Sequence, residues 1–138
     1  MHTTPQKRSV VWGILLIAVL VNILGYTLNL YQQFWWYDRF LHFFTPFAIT
    51  LPLALYLYGP VLTGARDHRL LLILTVASLG IAIGALWELT EWGYDLIAAG
   101  NAIKGKWDTM IDLIMDTLGS ILAGWVSVRM VQPEARAE

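Results

Sequence analysis

The sequence has no cysteine and few charged residues. The absence of cysteine excludes disulfides, thiolate metal ligands and cysteine nucleophiles. Only 14% of the 138 residues are Asp, Glu, Lys or Arg, whereas soluble domains carry about 25%. Nine basic and ten acidic residues give a net charge of -1, so there is no basic surface for nucleic acid. Because 57% of the residues are hydrophobic, the composition excludes a disordered chain and indicates a membrane protein.

Long apolar runs account for most of the sequence. About 20 helical residues cross the hydrocarbon core of a bilayer, and four runs reach that length. The first run could be a cleaved signal peptide, but it continues through residues 22–25 without a small-x-small site, which favours an uncleaved helix. The sequence therefore predicts an all-α, four-transmembrane-helix bundle that forms a single integral membrane domain over 1–138, with helices over about 10–31, 38–58, 70–99 and 109–130.

The distribution of Lys and Arg predicts the orientation of the bundle. Cytoplasmic loops of membrane proteins carry an excess of these residues. With the N-terminus inside, six basic residues fall on the inner side and three on the outer side, so we expect both termini in the cytoplasm. The inner residues are Lys7, Arg8, Arg66, Arg69, Arg129 and Arg136, and the outer residues are Arg39, Lys104 and Lys106.

Three groups of ionisable residues occur at helical spacing within or beside the predicted spans. Spacings of three and four place side chains on one helix face, and the predicted topology brings all three groups to one depth in the extracytoplasmic half. A central Asp costs on the order of 3 kcal/mol in a bilayer, so these side chains should face each other or a water-filled cavity. The groups are Asp38 with His42, Glu88 with Glu91 and Asp95, and Asp108 with Asp112 and Asp116.

One imidazole among several carboxylates is a donor set for a divalent cation. Such a cation would relieve the repulsion between the carboxylates, and shared protons are the alternative. We expect Mn, Zn, Ca or Mg as the ion, and Asp38 or Asp108 at the outer rim as a candidate general base. Arg39 is the one basic residue that the pattern places nearby. The predicted metal ligands are His42, Glu88, Glu91, Asp95, Asp112 and Asp116.

Structural interpretations stand beside these functional ones. Asp38 could form an interfacial pair with Arg39, Asp95 and Asp108 could be solvated loop-end charges, and Asp108 could cap the fourth helix. Pro46 removes the backbone donor for the carbonyl of His42, which could offer that oxygen to the site. Helix packing is the preferred role for the small residues Gly80, Gly84, Ser120 and Gly124, and a cavity lining is predicted for Asn22, Tyr26 and Asn29.

Three sequence strings resemble a known family. These are Trp-Tyr-Asp-Arg-Phe-Leu-His at 36–42, Trp-Glu-Leu-Thr-Glu-Trp at 87–92, and a D-x-x-x-D-x-x-G pattern within 107–119. Together they resemble the YjdF-like bacterial inner-membrane proteins and, more remotely, the VanZ-like proteins linked to glycopeptide resistance. The resemblance implies a multi-pass protein of the bacterial inner membrane in which the acidic positions and His42 are family features. It does not imply a reaction.

Three functions fit these patterns. The first is metal-dependent chemistry on a lipid head group in the outer leaflet, where the metal would polarise a phosphoryl or ester oxygen. The second is a non-catalytic accessory subunit of a membrane complex, whose acids bind a structural cation or a partner. The third is movement of cations or protons, although the inner helix halves have almost no polar residues. The expected partners are membrane lipids, and a membrane protein or a second copy of the chain; no nucleic acid is expected.

Overall fold

The computed structural model describes residues 5–62, 69–98 and 102–131, and within these ranges the chain is helical with no strand. The predicted all-α class is confirmed for these residues. Within the described ranges, three helices are long and apolar enough to cross a membrane, over Gln6–Thr27, Arg69–Ala98 and Lys106–Met130. The elements are α1 (Pro5–Thr27), α2 (Leu30–Gln33), α3 (Tyr37–Leu62), α4 (Arg69–Ala98) and α5 (Lys106–Val131).

Several helix ends differ from the sequence prediction. The first helix ends at Thr27, because Asn29 adopts a left-handed conformation with φ of 55° that asparagine tolerates better than most residues. The short helix α2 follows it. Helix α3 continues through residues 59–60, where a turn is predicted, and ends at Leu62. Helix α5 begins at Lys106, so Asp108 lies in its first turn and not at its N-cap. An acidic residue there is favoured by the helix dipole.

Side-chain contacts define how the long helices run relative to one another. Helix α1 is antiparallel to α3, since Asn22 hydrogen bonds to Thr45 and Trp12 contacts Tyr56. Helices α3 and α5 are parallel and pack closely, and α4 is antiparallel to both. The Lys7 ammonium donates to the carbonyl of Met130 over 3.2 Å. The first turn of α1 and the last turns of α5 therefore lie at the same end of the bundle.

Small residues allow the close approach of α5 to its neighbours. A Cβ added at Gly80 would overlap Ser120, and one at Gly84 would overlap the carboxylate of Asp116. On the other side of α5, a Cβ added at Gly119 would overlap the carbonyl of Phe43. Helix interfaces in membranes commonly use small residues in this way. The structure thus agrees with the packing role predicted for Gly80, Gly84 and Ser120.

The end of the bundle that holds the first turn of α1 contains the apolar core. Its hydroxyl groups are satisfied within their own helices, because Thr50 donates to the carbonyl of Pro46 over 2.7 Å and Ser127 to that of Ala123 over 2.6 Å. The buried ionisable side chains lie toward the opposite end, above this core. The apolar core is formed by Val11, Leu51, Ala54, Leu72, Val76 and Ala123.

Candidate metal centre

His42 lies at the centre of the ionisable cluster and is only 5% exposed. Its Nδ1 atom is 3.2 Å and 3.4 Å from the two carboxylate oxygens of Asp116, which is 1% exposed. The absent side chain of Gly84 provides the space for this carboxylate. When the Nδ1 proton is donated to Asp116, the Nε2 atom carries the free lone pair, which is the arrangement of a metal-ligating histidine.

The Nε2 atom of His42 faces carboxylates that are too distant for hydrogen bonds. It lies 3.7 Å from Oε1 of Glu88 and 3.8 Å from Oδ1 of Asp38. Oε1 of Glu88 and Oδ1 of Asp112 are buried and have no hydrogen-bond partner. Unpaired buried oxygens of this kind are rare and costly, so two of them on residues grouped with His42 require an explanation.

The spacing of donor atoms in His42, Glu88 and Asp112 matches that of ligands around one cation. One donor atom each from His42, Glu88 and Asp112 lies within 4.8 Å of the other two. Oxygen ligands lie about 2.0–2.6 Å from Mg²⁺ or Ca²⁺, so two ligands on one ion are separated by at most about twice that distance. We call this set the inner triad. All three of its residues are buried.

Two further groups of the same spacing overlap the inner triad. Asp38, His42 and Glu91 form one group, and Asp38, Asp108 and Asp112 form the other. Of the eight ionisable residues predicted from the sequence, these groups bring together six. Asp116 joins them through its contact with His42, as the residue that orients the imidazole.

Asp95 is placed apart from these groups, unlike its predicted role as a metal ligand. Its two oxygens accept hydrogen bonds from the backbone N–H groups of Ala102 and Ile103, over 2.8 Å and 2.9 Å. Asp95 follows Glu91 by four residues, as the predicted helix face requires. Its carboxylate nevertheless binds the connection between α4 and α5 and not the cluster. Glu91 itself also accepts a hydrogen bond of 3.0 Å from Nε1 of Trp87.

Two basic residues cover the rim of the cluster. The Lys104 ammonium lies 2.8 Å from Oδ2 of Asp38 and 3.8 Å from Oδ2 of Asp108, and Nη2 of Arg39 lies 3.3 Å from Oδ1 of Asp108. Partial burial lowers the pKa of Lys104, but its hydrogen bond to Asp38 and the nearby carboxylate charges together raise that pKa above its ordinary value. Lys104 therefore remains a cation at neutral pH.

Two cavities adjoin the cluster and share the side chains of Tyr31 and Asp38. The inner cavity has a volume of about 90 Å³ and reaches His42 and Asp116. The outer cavity has a volume of about 270 Å³ and includes Lys104. The predicted lining residues divide between them: Asn22 lines the inner cavity, and Tyr26 and Asn29 line the outer one.

Residues 3–133 match the model of a family described as a predicted membrane protein family, DUF2238. The chain belongs to this family. Membership agrees with the membrane character of the sequence and is consistent with the YjdF-like resemblance. The more remote VanZ-like similarity has no support among the matches.

A relative of this DUF2238 protein occurs in Thermotoga maritima, where it is described as an uncharacterized protein. It is 36% identical over 104 residues, which cover 72% of this chain and 52% of the relative. The chain therefore spans about half the length of that relative. No solved structure matches the chain.

The DUF2238 chain has two site features that the sequence pattern does not indicate. Lys104 comes from the connection after α4, so no helix periodicity links it to Asp38. Tyr31 donates from its hydroxyl to Oδ1 of Asn22 over 3.2 Å, and this contact depends on the chain reversal at Asn29. The sequence feature that could have identified Lys104 is its position between two helices that both carry acidic residues.

Proposed function

We propose that the chain is a four-span protein of the bacterial inner membrane with both termini in the cytoplasm. Helix α3 is 26 residues long and packs against α1, α4 and α5. The side chains of His42 and Thr50 in α3 are buried, so these polar groups face protein and not lipid. The contact between Lys7 and Met130 supports an even number of crossings, because it joins the beginning of α1 to the end of α5. The excess of Lys and Arg on that side supports the orientation.

We further propose that the inner triad binds a divalent cation. The observation that carries this proposal is the pair of buried, unpartnered oxygens on Glu88 and Asp112, two residues that each offer a donor atom within 4.8 Å of one on His42. A cation would give each oxygen a partner and would neutralise the repulsion between the two carboxylates. One nitrogen with carboxylate oxygens favours Mn, Fe or Zn over Mg or Ca.

Chemistry on a lipid head group is the function that this position supports best. The triad lies in the half of the bundle that the proposed orientation places at the outer leaflet. A cation there would polarise a phosphoryl or ester oxygen and lower the pKa of a bound water. Asp38 is suited to accept the proton of the attacking water, since its Oδ1 faces His42 at 3.8 Å. Asp108 lies 3.3 Å from Nη2 of Arg39 and 3.8 Å from the Lys104 ammonium, so it is better suited to pairing with these two cations at the rim.

Ion movement has less support in a single chain. The apolar core lies below the triad, and the buried hydroxyls of Thr50, Ser120 and Ser127 are used within their own helices. This part of the described chain offers no relay of polar groups to the cytoplasmic end. A role as an accessory subunit would also use a bound cation, but it predicts no hydrolysis of lipid by the purified chain.

The proposal can be tested by measuring metal retained by the purified protein in detergent. We expect about one divalent ion per chain after dialysis against a metal mixture, and its loss in Glu88→Gln and Asp112→Asn. The metal-loaded protein is then incubated with lipids bearing ester or phosphoryl head groups, and products are measured. Metal binding without hydrolysis would favour the accessory role, and no bound metal would reject the triad as a metal site.

A further inference from the structure

The outer cavity has the side-chain chemistry of a site for hydroxyl-rich ligands. Three tyrosines contribute rings and hydroxyls, and two amide side chains provide both donors and acceptors. Its volume of about 270 Å³ is near the lower end of ligand pockets, which hold about 300–1,000 Å³. The five residues are Tyr26, Tyr31, Tyr94, Asn29 and Gln32.

Several of these side chains are free to bind a ligand. The side chains of Asn29, Gln32 and Tyr94 make no hydrogen bond with another residue in the described ranges, and Tyr26 and Tyr94 are 64% and 59% exposed. The rings of Tyr26 and Tyr31 lie 4.9 Å apart and are tilted by 44°, so Tyr31 supports Tyr26 from one side. The cavity therefore presents aromatic faces and unused amides at one surface.

The charges of the outer cavity disfavour an anionic ligand. Asp38 and Glu91 both line it, and Lys104 is its one basic lining residue among the described residues. The Lys104 ammonium is already 2.8 Å from Asp38. In the outer cavity itself, a phosphate or carboxylate would therefore meet two negative side chains and no unpaired basic side chain among the described residues, whereas an uncharged polyol would meet acceptors for its hydroxyl protons.

The inner cavity reaches the ionisable cluster at His42 and Asp116, and it adds an apolar wall next to the polar outer cavity. Its walls include Leu41, Ile49 and Ile83, and the shared residues Tyr31 and Asp38 connect it with the outer cavity. A polar cavity beside a partly apolar one within a transmembrane bundle matches an amphiphile, with its head group in the outer cavity. A free sugar would occupy the outer cavity alone.

We propose that the outer cavity binds an uncharged, hydroxyl-rich head group of a membrane lipid, such as a sugar or glycerol unit. This inference rests on the proposed function and names its substrate class. The head group would stack on Tyr26 and Tyr94 and would hydrogen bond to Asn29 and Gln32. The bond next to the head group would then lie toward Asp38 and the inner triad.

Calorimetric titration in lauryldimethylamine oxide, a detergent without sugar, tests the proposal. The probes are dioctanoyl glucosylglycerol, dioctanoyl phosphatidic acid with the same chains, and free glucose. We expect the glucolipid to bind about tenfold or more tightly than either of the others, a difference of about 1.4 kcal/mol. If phosphatidic acid binds as tightly as the glucolipid, the preference for an uncharged head group is wrong. If glucose binds as tightly as the glucolipid, the assignment to a lipid is wrong.

Variants separate this inference from the metal proposal. Tyr94→Ala and Gln32→Ala should weaken glucolipid binding at least severalfold while the retained metal stays unchanged. Tyr56→Ala is the matched control, since Tyr56 is about as exposed as Tyr94 but lies at the end of α3 opposite to Asp38 and the outer cavity. This variant should bind the glucolipid normally. Asp112→Asn should lose metal and keep glucolipid binding. Unchanged glucolipid binding in both Tyr94→Ala and Gln32→Ala would overturn the inference whatever the metal result.

Discussion

Nδ1 of His42 lies 3.2 Å from Oδ1 of Asp116, across the interface between α3 and α5. A carboxylate that binds the second ring nitrogen of a histidine fixes the orientation and tautomer of the ring. Here it directs Nε2 toward Glu88, 3.7 Å away. The two helices thus present a fixed nitrogen to Oε1 of Glu88, which lacks a hydrogen-bond partner, and the metal proposal depends on this orientation.

The role of Asp116 predicts a loss of metal affinity in Asp116→Asn. The amide keeps the shape of the side chain but removes the charge that orients His42 and raises its basicity. Loss of such a partner costs about 10–100-fold in metal affinity, which equilibrium dialysis with a divalent ion can measure. Asp95→Asn is the control, because its carboxylate binds the backbone at Ala102 and Ile103. An equal loss of affinity in Asp95→Asn would contradict the assignment.

The packing of Gly84 against Asp116 predicts that Gly84→Ala destabilises the bundle. Its Cβ would overlap the carboxylate of Asp116, and overpacking of this kind costs about 1–3 kcal/mol. Both the melting temperature and the metal affinity should fall. Gly93→Ala in the same helix is the control, because a Cβ there has no atom within 4 Å. That variant should be neutral or slightly more stable, and equal melting of both variants would reject the packing argument.

The helices and the acidic faces were predictable because both depend on local sequence spacing. Hydrophobic length predicts the spans, and three- and four-residue spacing places Glu88 and Asp112 on faces that meet. The turn predicted at residues 59–60 was wrong, since α3 continues through the Gly-Pro pair to Leu62. The early end of the first helix depends on the single backbone conformation of Asn29, which an apolar run does not reveal.

The partners of individual charges were less predictable than the faces. Asp95 has correct helical spacing, yet it binds the returning chain at Ala102 and Ile103. Lys104 reaches Asp38 across 66 residues of sequence. Such contacts depend on how a connection folds back over a helix end, and helix periodicity contains no information about that path.

The position of Lys104 predicts that Lys104→Gln strengthens metal binding. Its ammonium pairs with Asp38 and Asp108 and repels a dication in the adjacent triad, so its removal should raise affinity a few-fold. The increase should be largest at low salt, because the charge is partly exposed. Lys106→Gln is the matched control and should have no effect. Weaker metal binding in Lys104→Gln would show that the lysine holds the rim together and does not compete with the ion.

The proposed orientation predicts the results of reporter fusions. A cytoplasmic reporter fused after Met130 should be active, and the same reporter inserted near Gly105 should be inactive. A periplasmic reporter should give the reverse pattern. Activity of one reporter at both positions would contradict α5 as a membrane crossing and would remove the extracytoplasmic location of the triad.

Thermal melting with and without a chelator tests the central claim, a divalent cation in the inner triad. Binding to the native state alone adds about 2.7 kcal/mol at a hundredfold excess of ion over Kd. We predict that chelation lowers the melting temperature near neutral pH, and that Mn, Zn, Ca or Mg restores it in the wild type and much less in Asp112→Asn. If shared protons relieve the repulsion between the carboxylates instead, the melting temperature should shift with pH and should not depend on the chelator. Equal melting temperatures with and without chelator would contradict the metal site.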